Sequence, residues 1–205
     1  EIMKNHDNQK PELENLLEDL RHPNPNINYQ ACNDLIKFWP VESIDILIQN
    51  LHQNDVFLRR KSVKALGQFG LEALNPIINL FNSNDDKAIK INCLKIFVRL
   101  AKEIDPNNIP TELINVIQYS IRDEDPQVIL ELVSLLRQLK QGGVEFLKNL
   151  AKDKNVLRSK AAVTALLEIQ EPSIERFLKE LLADKSTDEL IRNSVIDILD
   201  ISEDL

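Results

Sequence analysis

Apolar residues recur along this chain at i, i+4, i+7 and i+8, the spacing of one helical face. Leu58 is followed by Ser62, Ala65 and Leu66; Ile27 by Ala31, Asp34 and Leu35. Ile89 leads in the same way to Cys93, Ile96 and Phe97, and Ile191 to Val195, Ile198 and Leu199. Each of these stretches follows a shorter amphipathic stretch that ends in a polar turn, such as His22-Pro23-Asn24-Pro25-Asn26 or Asp123-Glu124-Asp125-Pro126. Asn, Asp and Ser favour turns because their side chains bond nearby backbone, and Pro because its φ is already set. Six segments share this plan, at 11–39, 41–69, 71–105, 110–140, 141–170 and 171–201. Pro11, Pro40, Pro76, Pro110 and Pro172 fall at or near the first turn of a first helix, where no hydrogen-bond donor is lost.

A lone helix pair cannot cover its own apolar face, whereas a stacked neighbour can. The pattern therefore predicts an all-α fold in which about six helix pairs stack as a right-handed α-solenoid over 11–205. It is similar to the HEAT repeat, including the arginine after the first apolar residue of a second helix at Arg59 and Arg192. Those arginines are expected to pair with turn acids such as Asp55 and Asp188. The polar residues 1–10 read as a disordered leader. The third segment carries an insertion, Lys102 to Ile109, expected to be a flexible point.

Composition narrows the function. Four glycines and 5% aromatic residues disfavour a sheet-rich fold. A net charge of −8 argues against nucleic acid as the main partner. No apolar run approaches the ~20 residues of a membrane span. Cys32 and Cys93 show no CxxC or metal spacing, which points to a reducing, cytoplasmic setting and to core packing. His6, His22 and His52 form no metal-binding pattern, and no phosphate loop, nucleophile elbow or dinucleotide fingerprint occurs. A single-subunit enzyme acting on small soluble substrates is the reading with least support.

One constellation carries chemistry. Opposite the core stripe of the second helices lie Tyr29, Asn33 and Lys37; Arg60, Lys64 and Gln68; Ile91, Lys95 and Arg99; and Leu130, Ser134 and Gln138, with Arg137 adjacent. The last repeat gives Asn193, Asp197 and Ile201 at these positions. In a stack of this hand that side lines the concave groove, so an acidic chain would hold a basic stripe with apolar members there. Exposed helix faces carry Lys and Arg in any case. The functional alternative is a partner with carboxylates or phosphates beside an apolar body.

The run Leu20-Arg21-His22-Pro23-Asn24-Pro25-Asn26-Ile27-Asn28-Tyr29-Gln30-Ala31-Cys32, with Asp55 to Gly67, resembles the HEAT-like phycobilin lyases and related phycobiliprotein chaperones of cyanobacteria. The likeness runs from about Glu12 onward and is strongest in the first two repeats. The matching positions are Tyr29, Arg59, Arg60 and Lys64. The Ala-Leu-Gly ending is replaced in later repeats by Gln138-Leu139-Lys140 and Glu168-Ile169-Gln170. The resemblance implies bilin attachment to phycobiliproteins, as a lyase subunit or as a chaperone acting with a lyase. Whether the chain itself is an enzyme stays open between those two roles. Its ligand would be a bilin, phycoerythrobilin or phycocyanobilin, with no cofactor tightly bound. Its partners would be a phycobiliprotein subunit and a second lyase subunit. Arg60, Lys64, Lys95 and Arg99 would hold the propionates, with Lys37 and Arg137 extending the stripe; Tyr29, Ile91 and Leu130 would cover the rings. The alternative is a non-catalytic scaffold whose groove binds an acidic protein segment.

Overall fold

The computed structural model describes residues 10–199. Among them are twelve α-helices in six pairs: α1 Leu13–Arg21 with α2 Pro25–Phe38, α3 Pro40–Asn50 with α4 Val56–Leu66, and α5 Leu74–Ser83 with α6 Lys87–Leu100. The second half adds α7 Thr111–Ser120 with α8 Pro126–Gln138, α9 Val144–Ala151 with α10 Val156–Leu167, and α11 Pro172–Ala183 with α12 Glu189–Leu199. The expected all-α repeat fold is thus present, pair for pair. The expected leader lies outside the described residues except for Lys10, whose ammonium sits 3.3 Å over the Trp39 ring. The end of the last segment, from residue 200, also lies outside them.

A single device starts every second helix. Asn24, Asp55, Asp86, Asp125, Asn155 and Asp188 each accept a hydrogen bond from a backbone N–H two or three residues on. A short polar acceptor at this position satisfies donors that the helix leaves free. From each cap the apolar stripe runs inward in register. At its fifth step lie Ala31, Ser62, Cys93, Leu132, Ala162 and Val195, all buried; at its ninth lie Leu35, Leu66, Phe97, Leu136 and Leu166, each fully inaccessible. Mostly small residues at the first of these levels let neighbouring helices approach. The second helices pack in sequence from α4 through α6, α8 and α10 to α12, and the first helices from α3 through α5 to α7.

Polar links tie successive turns together. The buried Asn28 amide donates to the carbonyls of Asp19, Leu20 and His22, and its oxygen accepts from Lys61 of the next repeat. Arg59 and Arg192 do not pair with Asp55 and Asp188. They donate to the turn carbonyls of Gln53 and Asp184, because those carboxylates already face helix N–H groups as caps. The buried arginine of the stack is Arg158. It donates to the Asp153 carboxylate and to the Asp123 carbonyl of the preceding repeat, both at 2.8 Å.

The insertion between α6 and α7 is folded onto the solenoid instead of forming a loose point. A 3₁₀ turn covers Ala101–Glu103, Ile104 is buried, and Ile109 packs against the core. Two apolar anchors within eight residues account for this.

Two equivalent corners show what a side chain costs where another repeat has glycine. Gly70 opens the turn before α5 with φ of +63°, and Lys140 opens the turn before α9 with φ of +51°. This left-handed conformation costs a residue with a Cβ roughly 1 kcal/mol. Lys140→Gly is therefore expected to stabilise the chain by about 0.5 kcal/mol after the added unfolded-state entropy, read as a small rise in urea midpoint.

Candidate functional site

Three second helices build one cavity of about 710 Å³, within the roughly 300–1,000 Å³ usual for small-molecule sites. From α4 come Arg59, Arg60 and Lys64; from α6 come Asn92, Lys95 and Arg99; Lys102 follows, and α8 adds Glu131 and Gln138. Val56, Val63 and Val98 supply apolar wall. Arg60 and Lys64 are one helical turn apart on α4, as are Lys95 and Arg99 on α6. Like charges at that spacing cost an isolated helix a few tenths of a kcal/mol. None of the four lies within ion-pair distance of a carboxylate among the described residues. Two cation pairs therefore face one space with a single acid among them, which suits an anionic ligand.

Gly67, the cap of α4, makes room for one of them. A Cβ there would stand 2.3 Å from Cδ and 2.8 Å from Cβ of Arg99. The Arg99 stem thus lies against bare backbone. Since Gly67 has an ordinary helical φ of −67°, the penalty for a side chain is the collision alone. Gly67→Ala is expected to cost about 1 kcal/mol, and most of that cost should disappear in an Arg99→Ala background. A cost that is the same in both backgrounds would assign the collision to something other than Arg99.

The remaining stripe residues sit elsewhere. Ile91 is buried in the core and does not line the cavity, so it does not cover a ligand there. The position after Lys90 turns inward on α6, while Asn92 takes the wall. Leu130, 48% exposed, lies outside the cavity lining, and its neighbour Glu131 points in. Tyr29, 56% exposed, borders a small crevice with Lys64 and Gln68. Lys37 lies 4.7 Å from the Phe38 ring centre. Arg137 pairs with Glu168 in an adjoining cavity of about 440 Å³ that shares Gln138 with the main one. Sequence reasoning missed Glu131, Asn92 and Lys102 as lining residues. Asn92 and Glu131 stand one position off the assumed stripe, and Lys102 three residues past its last member on α6, Arg99.

Both cysteines are buried. Burial pushes the Cys32 thiol up to about 11, against a smaller pull from Lys64, and the Cys93 thiol up to about 12. At pH 8 neither supplies thiolate, so alkylation by iodoacetamide is expected only on unfolding.

The chain matches the HEAT repeats family over residues 13–95. It is 26% identical over 168 residues to the bilin biosynthesis protein CpeZ of Synechococcus sp. (strain WH8020), covering 79% of this chain and 90% of that protein. The chain carries HEAT repeats and is similar in sequence to a protein of bilin biosynthesis. The chain is also 21% identical to the phycocyanin operon protein Z of Pseudanabaena tenuis (strain PCC 7409), over 89% of this chain and 91% of that one. Its fold is similar to a chain of the complex of CpcE and CpcF of phycocyanin lyase from Nostoc sp. PCC7120. There the TM-score is 0.58 at 19% identity, over 78% of this chain and 99% of that chain. An archaeal HEAT-like repeats protein from Thermococcus onnurineus NA1 matches with a TM-score of 0.51 at 14% identity, over 94% of this chain and 81% of that chain. Among the described residues no helix is long and apolar enough to cross a membrane.

Proposed function

We propose that this chain assists the attachment of an open-chain tetrapyrrole to a phycobiliprotein in the cytoplasm, as a lyase subunit or as a chaperone acting with a lyase. The observation that carries the reading is the cavity in which Arg60, Lys64, Lys95 and Arg99 meet with a single acid, Glu131, and no ion pair among the described residues. A bilin has an apolar conjugated body and two propionates. The cations hold the propionates by charge-assisted hydrogen bonds, and Val56, Val63 and Val98 lie against the body. The thioether forms on a cysteine of the acceptor. What the chain contributes is orientation, which makes the addition effectively unimolecular. Its own thiols, buried and protonated, do not compete for the pigment. The relative named for bilin biosynthesis supports the same ligand class.

The test is co-expression with phycobiliprotein subunits and bilin-synthesis enzymes, with and without a partner lyase. Chromophore on the acceptor only when this chain is present supports the proposal. Attachment without a partner lyase assigns the lyase role, and attachment only with one assigns the chaperone role. Equal attachment in the absence of the chain overturns the proposal and leaves the groove to an acidic protein segment.

A further inference from the structure

The cavity contains one group that the propionates do not use. Among its lining residues Glu131 is the single acid, set on α8 near Lys95 and Arg99 of α6. It is half-buried, and among the described residues it forms no ion pair and no side-chain hydrogen bond. A carboxyl group placed partly out of water without a partner is costly unless something else meets it. The charged groups that line the cavity with it are Lys95 and Arg99 from α6, Arg59, Arg60 and Lys64 from α4, and Lys102. Arg137 is engaged with Glu168 in the adjoining cavity. A wall of cations with one acid set into it fits a ligand that has anionic arms and nitrogen donors between them.

We propose that Glu131 is the partner of the bilin's ring nitrogens and holds the pigment in its nitrogen-protonated form. This rests on the reading that the cavity binds a bilin. The proton moves from the Glu131 carboxyl to the imine-type ring nitrogen. The O–H bond breaks, an N–H bond forms, and the carboxylate left behind pairs with the cationic ring system. The free protein is poised for this step. Burial raises the Glu131 carboxyl above the ordinary glutamate range, and Lys95 and Arg99 only partly pull it back. A protonated acid is therefore available at higher pH than in solution.

The test uses the purified chain, with its partner subunit where co-expression has shown one to be required, titrated with phycocyanobilin. The absorption spectrum is followed from pH 5 to pH 9. With the native residue the red band should intensify on binding and persist about one pH unit or more above its midpoint for free pigment. Glu131→Gln, which keeps size and burial, should bind the pigment about tenfold or more weakly and lose that extension. Glu131→Asp, which keeps the acid, should restore part of it. An unchanged band and midpoint in Glu131→Gln overturns the inference and leaves the binding reading intact. Absence of any binding to the native chain overturns the reading itself.

Discussion

Arg60→Glu combined with Lys64→Glu is expected to reduce chromophore attachment by about 100-fold or more, with helicity unchanged. Each propionate contact is a charge-assisted bond worth about 1.5–3 kcal/mol, and reversal replaces attraction with repulsion in the same half-enclosed space. The fold has no stake in either side chain. Both are exposed on α4, neither is in an ion pair, and the stripe that packs α4 is Leu58, Ser62, Ala65 and Leu66. The new carboxylates would face Lys95 and Arg99 across the cavity, so thermal stability should hold or rise slightly. Lys37→Glu is the matched control, because Lys37 lies outside the cavity near Phe38. Circular dichroism reads the fold, and visible absorbance of the purified acceptor reads the transfer. Attachment within about threefold of native in the double variant, with Lys37→Glu equally active, would remove this cavity as the pigment site.

The helix pairs were legible in the sequence because two independent signals coincide in every repeat but the fifth, where Arg158 takes the first stripe position. An Asn or Asp cap fixes where the second helix begins, and the apolar stripe three residues later fixes which face is inward. The cavity was legible in part for the same reason. Arg60, Lys64, Lys95 and Arg99 lie diametrically opposite stripes whose phase is unambiguous, so they meet where α4 and α6 run side by side. Ile91 failed because opposition was counted from a fixed offset. On α6 the buried arc is wide enough, with Ile89, Ile91, Cys93, Leu94, Ile96, Phe97 and Leu100 all buried, that the position beside Lys90 falls inside it. The same rigid count selected Leu130 over Glu131, one residue and about 100° away on α8. Arg59 and Arg192 were misassigned for a different reason. Sequence offers Asp55 and Asp188 as the nearest counter-charges, but a capping carboxylate is already committed to helix N–H groups. A turn carbonyl is then the better acceptor.

Arg158 extends that point and has the largest effect on stability. It occupies the stripe position held elsewhere by Ile27, Leu58, Ile89, Val128 and Ile191, where the repeat pattern calls for an apolar residue. Its side chain is 10% exposed, and its guanidinium joins two turns of successive repeats through Asp153 and the Asp123 carbonyl. Arg158→Ala should cost about 3 kcal/mol, since it strands a half-buried carboxylate and a carbonyl and opens a void. Arg158→Met, which keeps the bulk, should cost less. The charge part has a pH signature. Burial alone would raise the Asp153 carboxyl, but the Asn155 amide and the Arg158 guanidinium outweigh it and hold the group below its ordinary value. A carboxyl depressed in the folded state stabilises above its unfolded pKa of about 3.9, and this is lost as pH falls through the folded value. The native chain should therefore lose more of its margin over Arg158→Met between pH 5 and pH 2 than between pH 7 and pH 5. Urea unfolding followed by circular dichroism at those three pH values measures the margin. A margin that does not shrink in acid would mean that the guanidinium holds the two turns by shape and carbonyl bonding alone, with the Asp153 charge contributing nothing.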